Sequence, residues 1–433
     1  MSDEPSLDAD SEAPRSPKGT HDVLPPESAR WEALIAAFAQ LATRYGLGLA
    51  HTPAFEDARV FRRGIGDASE MVTKEMYEFE DRSGRRLALR PEGTAPIVRA
   101  YVQHRPPVPW RVWYVTPAFR YEQAQAGRYR QHHQVGAEVL GTEDPDVDVE
   151  VISLAHDFYA ALGLTRVALR LNSLGDLECR PAYLEELRSY LAEHQGELCD
   201  EHATTWSRNP MRVLDCKRAA CRAVADKAPL LSERLCGPCT AHLARVGAGL
   251  DAAGVAYSHD GHLVRGLDYY TRTTFEFTGT ALESASDAIG GGGRYDLLAE
   301  ALGGPPTPGI GFGSGIERVL LTCDAEGVFP ALARDPEVFV VDVTGGEVAR
   351  DVVLSLRRAG IRAARSYDAR SMRAQLKQAD RSGAVVAVIV GPSELEASSA
   401  VVRDLVAGTQ TTEPLEALLA RARATGTLRA GSP

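Results

Sequence analysis

The chain has 433 residues, 44% of them hydrophobic, and a formal net charge of −11. That length and apolar share suffice for sizeable cores in two or three domains, and no window approaches the roughly 18 consecutive apolar residues of a membrane span. The acidic balance argues weakly against a nucleic-acid partner, but its distribution is uneven: the net charge is +2 from Glu337 onward and −13 before it.

The first 17 residues carry five acids against one arginine, which predicts a disordered acidic tail, not a targeting signal, and a cytoplasmic protein with no membrane partner. A helix is predicted over Pro26 to Tyr45, because Trp31, Leu34, Ile35, Phe38, Leu41, Ala42 and Tyr45 keep the 3.6-residue period; Gly46 ends it. The extended segment Leu47 to Phe55 contains Pro53, so it suits a sheet edge or a dimer contact and not a central strand. Leu87 to Thr94 runs from strand into helix, with Thr94 as the predicted N-cap and Pro96 in the first turn. The amides of that turn suit an anion and Glu92 an ammonium group, or the whole is a plain capping device.

Phe119 to Leu140 reads as strand, polar turn around Gly127, then strand. It carries Arg120, Arg128 and Arg130, with Glu122 and Glu138 toward its ends. Guanidinium forks match phosphate oxygens, so the hairpin is either a phosphate clamp or a solvated, salt-bridged edge. A helix from Asp144-Pro145 to about Leu162 and a strand over Arg166 to Asn172 follow. The helical, cysteine-bearing stretch from about Asp176 to His259 is too long for a connection and reads as an insertion. Cys236-Gly-Pro-Cys239 has a zinc-like gap, with Cys216 and Cys221 as the other half and His202 as a further donor. Four residues separate Cys216 from Cys221, and the pattern favours buried free thiols over a structural zinc.

Leu263 to Phe277 alternates like a strand, and its Arg265, Asp268, Tyr269 and Tyr270 are a density of polar groups that points to a ligand. Gly290 to Gly293 is predicted as a tight turn leading through Arg294-Tyr-Asp296 into a helix. Gly309, Gly311, Gly313 and Gly315 share one face of a strand, and a face without side chains accepts a flat ring. Arg318 follows in the first turn of the next helix, aimed back over that face. Residues 324 to 336 form a linker. Beyond it, strands over Val338–Val343, Ile361–Tyr367, Val385–Gly391 and Ala400–Leu405 alternate with helices near Glu347–Ala359, Arg370–Ser382 and Glu413–Ala424, a small α/β sandwich.

Taken together, these segments resemble histidyl-tRNA synthetases, a family of class II aminoacyl-tRNA synthetases, from Lys18 to about Ala424. Leu263 to Phe277 and Gly291 to Asp296 resemble the two histidine-specific signatures; Pro26 to Phe55, the arginine hairpin and Gly309 to Leu321 resemble class motifs 1, 2 and 3. The resemblance implies an α+β fold. A class II antiparallel sheet of six or seven strands, flanked by helices, would occupy residues 18–330 with an inserted helical domain at about 176–259. A C-terminal α/β anticodon-binding domain would occupy 337–433. The implied activity is ATP-dependent activation of L-histidine to histidyl-adenylate and pyrophosphate, then transfer to the 3′ end of tRNA(His) by a homodimer, with Mg2+ accompanying ATP.

By the same resemblance Arg120 holds the α-phosphate, Arg318 the γ-phosphate, and Arg265 reaches the α-phosphate beside Mg2+. Arg128, Gly313 and Gly315 complete the ATP site. Glu138 and Tyr270 match the imidazole contacts, while Glu92, Gly93, Thr94, Gln134 and Tyr269 match positions lining the amino and carboxyl end. Two departures stand out: Glu122-Gln-Ala-Gln125 where the family usually has Glu-Arg-Pro-Gln, and Lys18 where it often has arginine. The rival reading is a non-catalytic paralogue serving as a regulatory subunit in histidine biosynthesis, a group that typically lacks the C-terminal domain and the signature arginines. A different class II synthetase is disfavoured by the Arg265 to Tyr270 signature.

Overall fold

The computed structural model describes residues 14–66, 69, 71–122, 127–264, 267–282, 287–330, 335–368 and 370–428; most of the acidic N-terminal stretch lies outside them. The chain forms two compact units, Met1–Ala331 and Leu332–Pro433.

The first unit is built on an eight-stranded sheet. Its strands lie in the order Gly48–Leu49, Trp110–Phe119, Gln131–Leu140, Gly309–Gly315, Ala288–Arg294, Thr271–Gly279, Val167–Ser173, Ser258–His259. The six central strands are antiparallel, whereas each outermost strand is two residues long and pairs in parallel. The expectation of six or seven antiparallel strands thus describes the centre and not the edges. The segment from Leu47 to Phe55 contributes only Gly48–Leu49; past Pro53 the chain leaves, and Phe55–Asp57 joins Arg86–Leu89 and Glu78–Glu80 in a separate three-stranded sheet.

Period-two alternation gives the large sheet two different faces. Trp113, Val135, Ala137, Val139, Phe275, Phe277, Ile310 and Phe312 point into one apolar core shared with the helices Glu27–Arg44, Pro145–Ala161 and Ile316–Glu326. Phe38 of the first helix meets Trp113, Phe158 and Phe312 edge-on there. The residues between them, among them Gln134, Gly136, Glu138, Gly311 and Gly313, face the other way and form the floor of the site.

Helices Arg180–Glu193, Asp200–Thr205, Met211–Leu214, Ala219–Ala225 and Gly237–Ala252 fill the chain between Val167–Ser173 and Thr271–Gly279, within the same compact unit. The last of them is tied to the sheet by a buried ionic knot. Arg294 and Asp148 are both wholly buried; Arg294 Nη2 stands 2.7 Å from Asp148 Oδ1, and Nε donates to Oδ2 at 3.1 Å. Thr273 donates to the same Oδ2 at 2.6 Å, and His242 of helix Gly237–Ala252 stands 2.7 Å from it. Nη1 donates to the carbonyl of Thr142, and Nη2 also to that of Asp144; both residues precede helix Pro145–Ala161.

In the second unit, strands Ala363–Arg365, Val338–Asp342, Val386–Val390, Ser399–Asp404 and Gln410–Pro414 form one sheet in that order. The first three are parallel and the last two antiparallel, with Glu347–Arg358, Met372–Arg381, Pro392–Glu396 and Leu415–Thr425 as helices. Gln410-Thr-Thr-Glu-Pro carries no apolar residue, so its strand is invisible to periodicity; it pairs as a polar edge and displaces the start of the last helix to Leu415.

Removing one partner of a buried ion pair leaves an uncompensated charge. Arg294→Met is therefore expected to lower the unfolding free energy by about 3 to 5 kcal/mol in urea titration. A loss below about 1 kcal/mol would mean that the knot does not hold these elements together.

Candidate active site

Glu138 sits mid-strand on the site face with no exposure at all. Its Oε1 accepts the Thr94 hydroxyl at 2.6 Å and stands 3.5 Å from the Tyr114 hydroxyl; its Oε2 accepts the Tyr295 hydroxyl at 2.5 Å. Tyr269 and Tyr270 close the cage, with Tyr269 4.7 Å from Tyr270 and 5.9 Å from Tyr295 between ring centres. Burial, with Glu92 as a nearby like charge, pushes the Glu138 carboxyl up to about 8 against the hydrogen bonds it accepts. The cage exists because the neighbouring strand has no side chain at Gly311, where a Cβ would lie 1.7 Å from Glu138 Oε2.

The start of the adjoining helix differs from its predicted cap. Helix Thr94–His104 begins at Thr94, whose hydroxyl is spent on Glu138; Gly93 occupies the cap position and offers no side-chain bond. The carboxylate of Glu92 caps instead, accepting the amides of Thr94 at 2.6 Å and Ala95 at 2.8 Å. Gly93 is held tightly, since a Cβ there would meet the Tyr114 ring at 2.4 Å.

Beside the cage opens a cleft of about 370 Å³. Arg120, Arg128, Gln134, Gly313, Gly315 and Arg318 line it, so six of the predicted site residues meet in one place. Gly313 is the junction: its open face lies 3.5 Å from the Tyr114 hydroxyl and 3.7 Å from the Gln134 side chain. Arg120 is braced by the Pro91 carbonyl at 2.9 Å, and Arg318 by the Ala288 carbonyl at 2.6 Å. Burial first, then the nearby Arg128, holds Arg318 below its ordinary pKa. Burial, then Arg120 and His133, lowers His132 to about 3, so a neutral imidazole lines the cleft.

Several expectations are corrected. The hairpin strands are Trp110–Phe119 and Gln131–Leu140, so Arg120, Arg128 and Arg130 lie on the connection and not on the strands. Arg130 is not among the cleft residues: its guanidinium stacks over Tyr121 at 4.0 Å and its amide bonds Gly19. The strand of the first signature starts only at Thr271; Asp268 to Tyr270 precede it in a turn, which lets both tyrosines face the cage. Gly290 to Gly293 is no turn but the middle of strand Ala288–Arg294. Arg265, the third predicted cation, and Gln123 to Gln125 of the departure from the family pattern lie outside the described residues. The four candidate metal cysteines do not form one group: Cys216 and Cys221 gather with Cys199 and His202, and Cys236 and Cys239 with Asp176 and Cys179.

Sequence reading missed Tyr114, Tyr295, His132, Glu276, Asp215 and Lys217. Tyr114 had one available signal, the side-chain-free Gly136 paired directly opposite it. Asp215 and Lys217 arrive from the inserted helices, and only tertiary packing brings them to the cleft.

Residues 19–319 match the family model described as histidyl-tRNA synthetase, and residues 337–425 the anticodon binding domain. The histidine-tRNA ligase of Anaeromyxobacter dehalogenans (strain 2CP-1) is 49% identical over 93% of this chain and 98% of its own length. That of Dehalococcoides mccartyi (strain 195) is 44% identical over 94% and 98%. The crystal structure of apo histidyl-tRNA synthetase from S. aureus superposes with a TM-score of 0.81 at 34% identity, covering 95% of this chain and 100% of that one.

Two outcomes test the cage. Because the folded Glu138 pKa is raised from 4.5 to about 8, its stabilising contribution is complete below 4.5 and is lost as pH rises through 8. Urea unfolding of the ligand-free protein should show this group lowering stability over that window, by at most about 1.4 kcal/mol per pH unit, and Glu138→Gln should remove that slope. An identical pH profile in the variant would refute the raised pKa. Gly311→Ala should expel the carboxylate and flatten the same slope while Gly315→Ala, with open space around its Cβ, should not.

Proposed function

Because the chain belongs to the histidyl-tRNA synthetase family, and is on that ground an ATP-dependent histidine-tRNA ligase, we propose that the Glu138 cage holds the histidine imidazole and the arginine-lined cleft holds ATP. The observation that carries this reading is the meeting of Arg120, Arg128 and Arg318 on a glycine floor beside a caged acid. Imidazole presents one donor and one acceptor, and a carboxyl group ringed by Thr94, Tyr114 and Tyr295 can answer both. Glu92, Thr94, Gln134 and Tyr269 surround the amino and carboxyl end of the substrate.

The histidine carboxylate is already an anion at neutral pH, so its attack on the α-phosphorus needs no general base; alignment and charge neutralisation are the requirements. Arg120 neutralises the α-phosphate, and Arg318, with Arg128 beside it, the outer phosphates that leave as pyrophosphate. Mg2+ arriving with ATP would add charge neutralisation, and Glu122 and Glu276, both lining the cleft, are the oxygen donors a hard cation takes. In the second step the terminal ribose hydroxyl of tRNA attacks the adenylate, whose own phosphate takes the proton. The second unit, with its anticodon-binding match, would read the other end of the tRNA. A homodimer is supported by exposed Leu49, Phe55 and Phe79 on and beside the segment that resembles motif 1.

The regulatory reading is disfavoured by the anticodon-binding match and by the arginines in place. Histidine-dependent exchange between ATP and pyrophosphate, followed by charging of tRNA(His), is the direct test; exchange driven by another amino acid, or none in folded protein, would overturn the proposal. Arg120→Ala and Arg318→Ala are each expected to slow adenylate formation about 10² to 10³-fold. Arg265→Ala, by the resemblance, should leave thermal unfolding unchanged and remove most of the exchange. Near-normal turnover in any of the three would contradict its role.

A further inference from the structure

A second constellation lies in the inserted helices and takes no part in the chemistry above. Cys199 stands at the cap of helix Asp200–Thr205, His202 within it, Cys216 in the turn after Met211–Leu214, and Cys221 inside Ala219–Ala225. Their donor atoms all lie within 4.8 Å of one another. His202 Nδ1 is 3.5 Å from the Cys199 sulfur and 3.5 Å from the Cys221 sulfur. One ring nitrogen cannot serve two thiols as a simple hydrogen-bond partner, because it either holds one proton or accepts one. A tetrahedral ion, with metal to sulfur about 2.3 Å and metal to nitrogen about 2.0 to 2.1 Å, places sulfur and nitrogen roughly 3.6 Å apart. The backbone amide of Cys199 also donates to the Cys221 sulfur at 3.3 Å, a bond that suits a thiolate ligand, and Arg218 lies beside Cys199 to balance the charge of three thiolates.

The other thiol group is built differently. Asp176 Oδ1 already accepts the amides of Glu178 at 3.0 Å and Cys179 at 3.4 Å, and its Oδ2 pairs with Arg272 at 3.7 Å. That carboxylate closes a turn ahead of helix Arg180–Glu193.

We propose that Cys199, His202, Cys216 and Cys221 form a Cys3His site for a structural zinc ion, which holds the turn that presents Asp215 and Lys217 to the arginine-lined cleft. Helices of six, four and seven residues are too short to hold their own conformation, so a metal staple has work to do here. Asp215 and Lys217 flank Cys216 in sequence and both line the cleft, so fixing the cysteine fixes their reach. This second part rests on the reading of the cleft as the ATP site.

Full-length protein purified without added metal should contain one zinc per chain by plasma mass spectrometry. Cys199→Ser with Cys216→Ser should abolish it, and Cys236→Ser with Cys239→Ser should leave it in place. Cobalt should give a tetrahedral thiolate spectrum, and His202→Cys, which keeps four ligands and the fold, should bind cobalt with that spectrum altered. No zinc in the wild type, or zinc retained by the Cys199/Cys216 double variant, overturns the site. Stripping the zinc should raise the KM for ATP about tenfold or more, as expected for a lost charged contact, with the KM for histidine unchanged. An unchanged KM for ATP, or an equal rise in both, overturns the positioning role. Absence of exchange in the zinc-loaded wild type would count instead against the cleft as an ATP site.

Discussion

A carboxyl group with no exposure, held over a glycine, is the constraint to which the rest of this site conforms. Glu138 can be buried only if its oxygens are answered by donors and if the neighbouring strand leaves room. Both conditions reach far along the chain. The donors come from the helix at Thr94, the strand at Tyr114 and the segment after the glycine strand at Tyr295, and the room comes from Gly311. Thr94 can turn its hydroxyl toward Glu138 because Glu92 has taken over the capping of its helix. One buried acid thus fixes the mutual placement of three strands and a helix.

The same face divides into two electrostatic territories. Around Glu138, Glu92 and the tyrosines the environment is apolar and disfavours ionisation; both carboxyl groups are raised by burial. A few residues along the strand, past Gly313, the guanidinium groups of Arg120, Arg128 and Arg318 gather in a cleft that Glu122 and Glu276 also line. On the proposed reading, selectivity for a polar ring would belong to the first territory, because a substrate lacking the right hydrogen bonds leaves buried groups unpaired there. On the same reading, phosphate chemistry would belong to the second. Their separation would let recognition stay rigid while the phosphate end accepts groups that arrive and leave.

What could be read beforehand follows from how local each signal is. The first helix and the strand Gly309–Gly315 obey simple periods, and their bounds were legible to within a residue or two. Gly290 to Gly293 was misread because glycine has no side chain to alternate, so a strand made of it looks like a turn. The arginines of the hairpin lie on its connection because the strands stop at Phe119 and Gln131, with one further backbone bond from the Arg120 amide to the Arg130 carbonyl beyond them. The cysteines could be counted but not grouped: Cys216 and Cys221 share a site with Cys199 and His202, and Cys236 keeps company with Asp176, a choice made by folding in three dimensions. Family resemblance proposes roles for Glu138 and Tyr270 that periodicity could not, yet leaves Tyr295 unassigned one residue from Arg294, although Tyr295 bonds Glu138.

On the proposed reading of the cleft as the ATP site, an acidic protein must bring positive charge together locally, and doing so costs free energy when no anion is bound. Arg318 is more than half withdrawn from water beside Arg128, and both burial and that neighbour disfavour its charged form. The carbonyls of Ala288 and Pro91 brace the Arg318 and Arg120 side chains in the cleft. A triphosphate bound there would reverse the balance: the repulsion between Arg318 and Arg128 would give way to attraction, and little reorganisation would be left to do at the moment of reaction. The buried Arg294–Asp148 knot and the apolar core behind the sheet are what allow the fold to hold this arrangement in the absence of ligand.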